Sequence, residues 1–85
     1  MTKKHFEEIA NEIKYRAIVV FNGEETYEEK WFALLTLTNL VYELSQTFKR
    51  FNENFDSGRF IQATEVLKYK LELEREQATN VATGL

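Results

Sequence analysis

The chain lacks cysteine and proline and contains a single histidine, His5, among its 85 residues. Without cysteine it can form neither a disulfide bond nor a zinc site with thiolate ligands, and any metal would have to bind carboxylates alone. With one histidine, a catalytic triad is available only in principle, and near an exposed helix start we expect His5 to be solvated. The sequence therefore predicts a protein that is not an enzyme and that carries no cofactor.

Chain-breaking residues and long apolar runs are also scarce. Three glycines and no proline permit long helices along most of the chain. No run approaches the roughly 20 apolar residues of a membrane span, and the N-terminus lacks the apolar core of a signal peptide. These features predict a single small domain in the cytoplasm, without membrane contact.

The charge balance is slightly acidic, with a net charge of −3 at pH 7 and an isoelectric point near 5.2. Proteins that bind nucleic acid generally neutralise several phosphates with lysine and arginine. The acidic balance therefore argues against nucleic acid as a partner and favours a protein partner.

A long central helix is the clearest element in the sequence. Thr26 and Glu29 form a capping box, which is typical of a helix start. Apolar residues then recur at alternating steps of three and four, the spacing of one helix face. They are Leu34, Leu37, Val41, Leu44, Phe48, Phe51 and Phe55.

The first helix is predicted to run from Lys3 to Val20, with Thr2 as its N-cap. Its apolar stripe is Phe6, Ile9, Ala10, Ile13, Ala17 and Val20. Two interpretations then compete at Asn22-Gly23. Gly23 adopts a left-handed conformation just past the helix end, or Ile18–Phe21 pairs with Glu24–Tyr27 as a small hairpin. We favour the helix, because two glutamates make a poor strand and an isolated hairpin is marginal in water.

A third helix is predicted to begin after Asp56, its natural N-cap, with Phe55 and Phe60 forming a hydrophobic staple. Asn52 or Asn54 is expected to take the left-handed conformation that ends the central helix. The apolar stripe of the third helix is predicted to be Phe60, Ala63, Leu67 and Leu71, with Val66 beside it.

The predicted fold is therefore all-α, a three-helix bundle with a long central helix. The alternative is an α+β fold with a small hairpin around Asn22-Gly23. The helical domain covers residues 1–76, and a polar segment of residues 77–85 is expected to be a frayed tail.

Two short segments resemble a known group of proteins. They are Thr2-Lys3-Lys4-His5-Phe6 with Ile9-Ala10, and later Phe55-Asp56, Arg59-Phe60 and Ala63. This spacing resembles the T-K-K-H-F-x-x-I-A and F-D-x-x-R-F-x-x-A motifs of a family of small uncharacterised bacteriophage proteins. The family pattern often continues with Cys-Gly after the alanine, where this chain has Thr64-Glu65. The resemblance implies a phage accessory protein that acts in the cytoplasm of an infected bacterium.

Two surfaces are candidates for binding. The central helix is apolar nearly all round between Trp31 and Tyr42, so some of its side chains should stay uncovered and form a contact in a homodimer or with a partner. The candidate contact residues are Trp31, Phe32, Leu35 and Tyr42. The second candidate is an anion patch of Lys49, Arg50 and Arg59, whose field is weakened by nearby carboxylates.

The predicted function is that of a small interaction protein, which binds and modulates a host or phage protein through a helical face. The alternative is a small nucleic-acid-binding module of the helix-turn-helix type. That alternative requires the basic residues of the second half of the chain to converge on one face. They are Lys49, Arg50, Arg59, Lys68 and Lys70.

Overall fold

The computed structural model describes the backbone of residues 2–83 and the side chains of residues 2–79. All regular secondary structure over these residues is helical, which confirms the all-α fold and the long central helix. The elements are α1 (Lys3–Asn22), α2 (Tyr27–Phe51), α3 (Ser57–Thr64) and α4 (Val66–Thr83). The hairpin alternative is wrong, because α1 continues as helix through Asn22.

Three helices begin at the N-caps that the sequence predicts, Thr2, Thr26 and Asp56. Each cap side chain accepts a hydrogen bond from one of the backbone N–H groups that a helix start leaves without a partner. The Thr26 hydroxyl accepts from Glu29 at 3.2 Å, and the Asp56 carboxylate accepts from Arg59 at 3.0 Å. The helix starts are thus fixed by contacts between residues three apart in the chain.

His5 lies on the surface, but it has a structural partner. Its Nδ1 atom accepts a hydrogen bond from the backbone N–H of Thr2 at 3.1 Å, while the Thr2 hydroxyl accepts from the His5 backbone. Histidine therefore takes the place of the glutamate or glutamine that usually completes a capping box.

The end of α1 differs from the prediction, because Gly23 is extended, with φ −72°, and not left-handed. Its N–H still donates to the carbonyl of Val20 at 3.2 Å. The Lys30 ammonium, which comes from α2, donates to the free carbonyl of Phe21 at 3.0 Å. A lysine from the next helix thus satisfies a carbonyl that a left-handed turn usually satisfies.

The end of α2 follows the same pattern, so the predicted left-handed Asn52 or Asn54 is also wrong. Asn52 has φ −146°, and no asparagine among the described residues has a positive φ. The Lys49 ammonium donates instead to the carbonyls of Glu53 and, at 3.1 Å, Phe55. A cation at the negative end of the helix dipole stabilises this turn as well.

The core runs along the line where α1 and the α3–α4 pair pack against α2. Its buried apolar side chains are Ala10, Ile13, Ala17, Leu34, Val41, Phe55, Phe60, Val66 and Leu73. Phe6, Ile9 and Val20 pack against them, which confirms the predicted stripe of α1. The core also contains hydroxyls that the stripe of α2 did not predict, from Thr38 and Ser45. Each donates to a backbone carbonyl about one turn earlier, so neither is buried without a partner.

Four phenylalanines pack together at the corner between α1, α2 and α3. They are Phe6, Phe48, Phe55 and Phe60. Their ring centroids are 4.6 to 5.5 Å apart, the range of favourable aromatic pairs. The pair Phe55–Phe60, at 5.5 Å, confirms the staple. Phe51 was expected in the same stripe but is 86% exposed, because α2 ends at this residue and the chain turns before Phe55 enters the core.

The predicted third helix is divided at Glu65, which has φ 57° and is the left-handed residue between α3 and α4. The break changes which side chains of α4 face the core, because it rotates α4 about its axis relative to a continuous helix. Val66 enters the core in place of Leu67, so the predicted stripe is wrong at Leu67 and Leu71, which are exposed. It is also wrong at Ala63, which precedes the break and is exposed, whereas Phe60 is buried as predicted. The registers of α3 and α4 must therefore be read separately.

The molecule is elongated, with principal extents of 51 × 18 × 15 Å. The helix α4 runs back along α2 and continues to Thr83. The frayed tail predicted for residues 77–85 stays a prediction, since side chains beyond residue 79 and the backbone beyond residue 83 lie outside the described part of the chain.

Candidate protein-binding face

An apolar surface runs along the outer side of α2. Phe32 is 62% exposed and Tyr42 is 42% exposed, while Trp31 and Leu35 are half-buried. Their numbers place Trp31, Leu35 and Tyr42 on one edge of the helix, with Phe32 beside that edge. These are the four candidate contact residues that the sequence predicts, of which Phe32, Leu35 and Tyr42 lie off the main stripe.

The neighbouring helix α4 adds two leucines to this surface. Leu67 is 46% exposed and Leu71 is 48% exposed. They precede Glu74 by steps of four and three, so they share an edge of α4 with it. That edge lies against α2, because the Glu74 carboxylate accepts a hydrogen bond from Trp31 Nε1 at 3.2 Å. We call the set Trp31, Phe32, Leu35, Tyr42, Leu67 and Leu71 the α2–α4 face.

Charged groups hold α2 and α4 together at one end of this face. The Lys70 ammonium lies 5.0 Å from the centroid of the Trp31 ring and 3.2 Å from the Glu74 carboxylate. The hydrogen bond from Trp31, followed by that from Lys70, lowers the pKa of Glu74 below the ordinary range of a glutamate. The three side chains form one network that fixes the spacing of the two helices.

The two leucines of α4 were not identified as surface residues from the sequence. Their exposure depends on the left-handed Glu65, and neither glycine nor asparagine marks a break at that position. The Glu65 carboxylate pairs with Lys14 of α1 at 3.0 Å and with Lys68 at 3.2 Å. The hydrogen bonds from Lys14 and then Lys68 lower the pKa of Glu65, and the same carboxylate raises the pKa of Lys68.

The candidate anion patch lies at the corner between α2 and α3. Lys49 directs its ammonium at backbone carbonyls, and Arg50 donates to the Thr47 hydroxyl at 3.1 Å. Arg59 is exposed and forms no ion pair within the described residues. Of the other basic residues, Lys68 and Lys70 are paired with carboxylates on α4 and at its start. Most of these basic side chains thus have hydrogen-bond or ion-pair partners within the fold.

The segments 2–10 and 55–63, which carry the two short sequence motifs, meet in space. They line a cleft of about 410 Å³ between α1 and α3, floored by aromatic and alanine side chains and edged by charges of both signs. The lining residues are Lys3, Phe6, Glu7, Ala10, Asn52, Asn54, Phe55, Asp56, Arg59, Phe60 and Ala63. Phe6, Ala10, Phe55 and Phe60 pack α1 on α3, and Asp56 caps α3, so most motif residues have a role in folding.

The described residues contain no group of three or more histidine, aspartate or glutamate side chains placed to hold a metal ion. Within the same residues, no helix combines the length and apolar character that crossing a bilayer requires. Comparisons with protein-family models, with curated proteins and with solved structures found no match to this chain.

Proposed function

We propose that this chain is a small non-enzymatic interaction protein that binds another protein through the α2–α4 face. The observation that carries the proposal is that six apolar side chains, none of them fully buried, lie on the edges of α2 and α4 that meet where Trp31 contacts Glu74. Isolated apolar residues on a surface are common, whereas a contiguous group is typical of interaction sites.

The face can supply part of the free energy that binding requires. Covering an exposed leucine or phenylalanine side chain contributes about 1.5–3 kcal/mol when burial is complete. Four side chains of the face are more than 40% exposed, so a partner that covers them gains several kilocalories per mole before the entropic cost of association. Aromatic residues such as Phe32 and Tyr42 are also the residue types that most often dominate protein interfaces.

The partner class follows from the resemblance to small phage proteins. We propose that the chain is a phage accessory factor that binds and modulates a host or phage protein in the bacterial cytoplasm. The second candidate function is a helix-turn-helix module, which only the basic residues of the chain support. Lys68 and Lys70 are paired with carboxylates, and this pairing weakens their attraction for phosphates.

Capture from bacterial lysate tests the proposal with matched variants. Phe32→Glu places a charge at the most exposed side chain of the face, and Tyr15→Glu places one at a similarly exposed aromatic position on α1. We expect the parent and the Tyr15 variant to retain the same proteins, identified by mass spectrometry, and the Phe32 variant to lose them. Retention by both variants alike contradicts the proposed face.

Nuclease treatment of the lysate separates the two candidate functions. A captured set that is unchanged by nuclease supports direct protein binding. A set that disappears, together with sub-micromolar binding of DNA or RNA at physiological salt in an anisotropy titration, supports the nucleic-acid module instead.

A further inference from the structure

Three exposed residues on α2 lie on one line along the helix. Asn39 follows Glu28 by eleven positions and precedes Arg50 by eleven, and eleven positions are close to three helical turns. Asn39 is therefore the midpoint of a line that carries a negative charge at one end and a positive charge at the other. Phe32, Leu35 and Tyr42 of the α2–α4 face lie along the same side.

The charges at the two ends of α2 are arranged by sign. The first turn contains Glu28 and Glu29, and the last turn contains Lys49 and Arg50. Glu28 is exposed and forms no ion pair within the described part of the chain, and Arg50 has only the Thr47 hydroxyl as a partner there. Both charges are available to groups outside the molecule.

We infer that the α2–α4 face binds a second copy of this chain, antiparallel to the first, about a twofold axis that passes near Asn39. This inference rests on the proposed function, because it names an occupant of the same face. An antiparallel copy places Glu28 opposite the partner's Arg50, twice by symmetry. A parallel copy places like charges opposite each other at both ends of α2, which opposes association.

The centre of the face suits the same symmetry. Two Asn39 amides related by a twofold axis can each donate to the other's carbonyl oxygen, and such buried amide pairs fix the register of helix pairs. Leu35 and Tyr42 lie at nearly equal distances on either side of Asn39, so Leu35 of one chain faces the partner's Tyr42. The same apolar patch can therefore form both sides of the contact.

The size of the face limits the strength of the dimer. From Glu28 to Arg50 the helix rises about 33 Å, and the molecule is 18 Å wide. A contact of these dimensions covers about 600 Å² of each chain, which lies at the lower limit for a stable interface. The dimer is therefore expected to dissociate in the micromolar range.

Light scattering after size exclusion, or sedimentation equilibrium, measures this association directly. We expect the mass of two chains at high micromolar concentration and a shift toward one chain on dilution. Glu28→Lys and Arg50→Glu should each raise the dissociation constant about tenfold, since each places like charges opposite each other twice. An equimolar mixture of the two variants should regain the parent affinity, because both pairs become attractive in the mixed dimer.

Controls for charge come from the solvent face of α1. Glu12→Lys and Arg16→Glu make the same changes at exposed positions away from the α2–α4 face and should leave the dissociation constant unchanged. A parent mass of one chain throughout the concentration range overturns the inference. The inference is also overturned if the parent dimerises and the Glu28 and Arg50 variants have the same dissociation constant as the parent.

Engineered cysteines test the orientation, because the natural chain has none. Phe32 and Gln46 lie seven residues on opposite sides of Asn39. Under mild oxidation, a mixture of Phe32→Cys and Gln46→Cys chains should therefore form the mixed disulfide in preference to either symmetric one. Predominance of the symmetric Phe32→Cys product indicates parallel chains and overturns the antiparallel arrangement.

The outcomes of this test and of the lysate experiment can be told apart. If the parent is a monomer but Phe32→Glu abolishes capture of another protein, the homodimer is wrong and the proposed function stands. If the charge-swapped mixture regains affinity but lysate proteins bind equally to both lysate variants, the dimer stands and the heterologous partner is wrong.

Discussion

At the scale of single residues, Glu65 has the most influence on the molecule. Its left-handed backbone sets the rotation of α4, and its carboxylate joins α1 to the start of α4 through two lysines. Left-handed conformations cost a residue with a β-carbon roughly 1–2 kcal/mol relative to its preferred backbone region. The ion pairs with Lys14 and Lys68 compensate for part of that cost.

A pair of substitutions separates the two contributions of Glu65. Glu65→Gln removes the charge and keeps the strained backbone, whereas Glu65→Gly removes both the charge and the strain. We expect the glycine variant to be more stable than the glutamine variant by about 0.5–1 kcal/mol, after allowance for glycine's greater freedom in the unfolded chain. Urea denaturation of both variants measures the difference, and a more stable glutamine variant argues against strain at this position.

The same residue predicts a pH dependence of stability. Because the folded-state pKa of Glu65 is lowered, its contribution is present above the ordinary glutamate pKa of about 4.3 and is lost as the pH falls through the lowered value. Glu65→Gln should therefore lose less stability than the parent between pH 6 and pH 3, because the amide does not titrate. Denaturation midpoints at several pH values measure this, with Glu12→Gln on the exposed side of α1 as the control.

The helix caps are the second residue-scale determinant. Asp56→Ala and Thr26→Ala each remove the acceptor of a backbone N–H at a helix start, and each should destabilise the fold by about 0.5–2 kcal/mol. Chemical denaturation of the two variants measures the loss. If Asp56→Ala unfolds at the same urea concentration as the parent, its cap does not contribute to stability.

At the scale of elements, the aromatic corner fastens α1, α2 and α3 together. Phe60 is buried against the rings of Phe48 and Phe55, whereas Phe51, nearby in sequence, is almost fully exposed. Phe60→Ala should therefore cost about 3–5 kcal/mol, a large fraction of the stability of so small a domain, while Phe51→Ala should cost almost nothing. Thermal unfolding of the two variants provides the comparison, and similar losses in both contradict the assignment of the core.

The elements also show why part of the fold follows from the sequence. The caps at Thr2, Thr26 and Asp56 depend on residues three apart, and the stripe of α1 depends on steps of three and four, so short-range patterns predict them. The break at Glu65 does not follow from such patterns. The ion pair at this residue is with Lys14, which lies 51 residues away in the chain and approaches only when α1 packs on the start of α4.

Short-range sequence patterns likewise predict some residues of the candidate site and not others. Trp31, Phe32 and Tyr42 could be found from the sequence because they lie off the stripe of a single uninterrupted helix. Leu67 and Leu71 could not, because they were assigned to the core on the assumption that one helix continued through Glu65. A change of backbone conformation at one residue thus places two leucines of the predicted core on the surface, at the candidate α2–α4 face.

At the scale of the whole molecule, length and charge act together. The bundle is nearly three times as long as it is wide, and α2 has acidic residues at its start and basic residues at its end. An elongated molecule with separated charges orients an approaching partner along its axis as well as attracting it. Partners that bind the α2–α4 face are therefore expected to lie along the bundle with their own charges in the opposite order.

The contacts of Trp31 also give the protein an internal optical reporter. It is the sole tryptophan of the sequence, and its indole ring touches both Lys70 and Glu74 of α4. Fluorescence emission therefore originates at the junction of α2 and α4 and is sensitive to the charges placed there. Circular dichroism reports total helix content instead, so emission and dichroism recorded on one sample distinguish release of α4 from α2 from melting of the whole bundle.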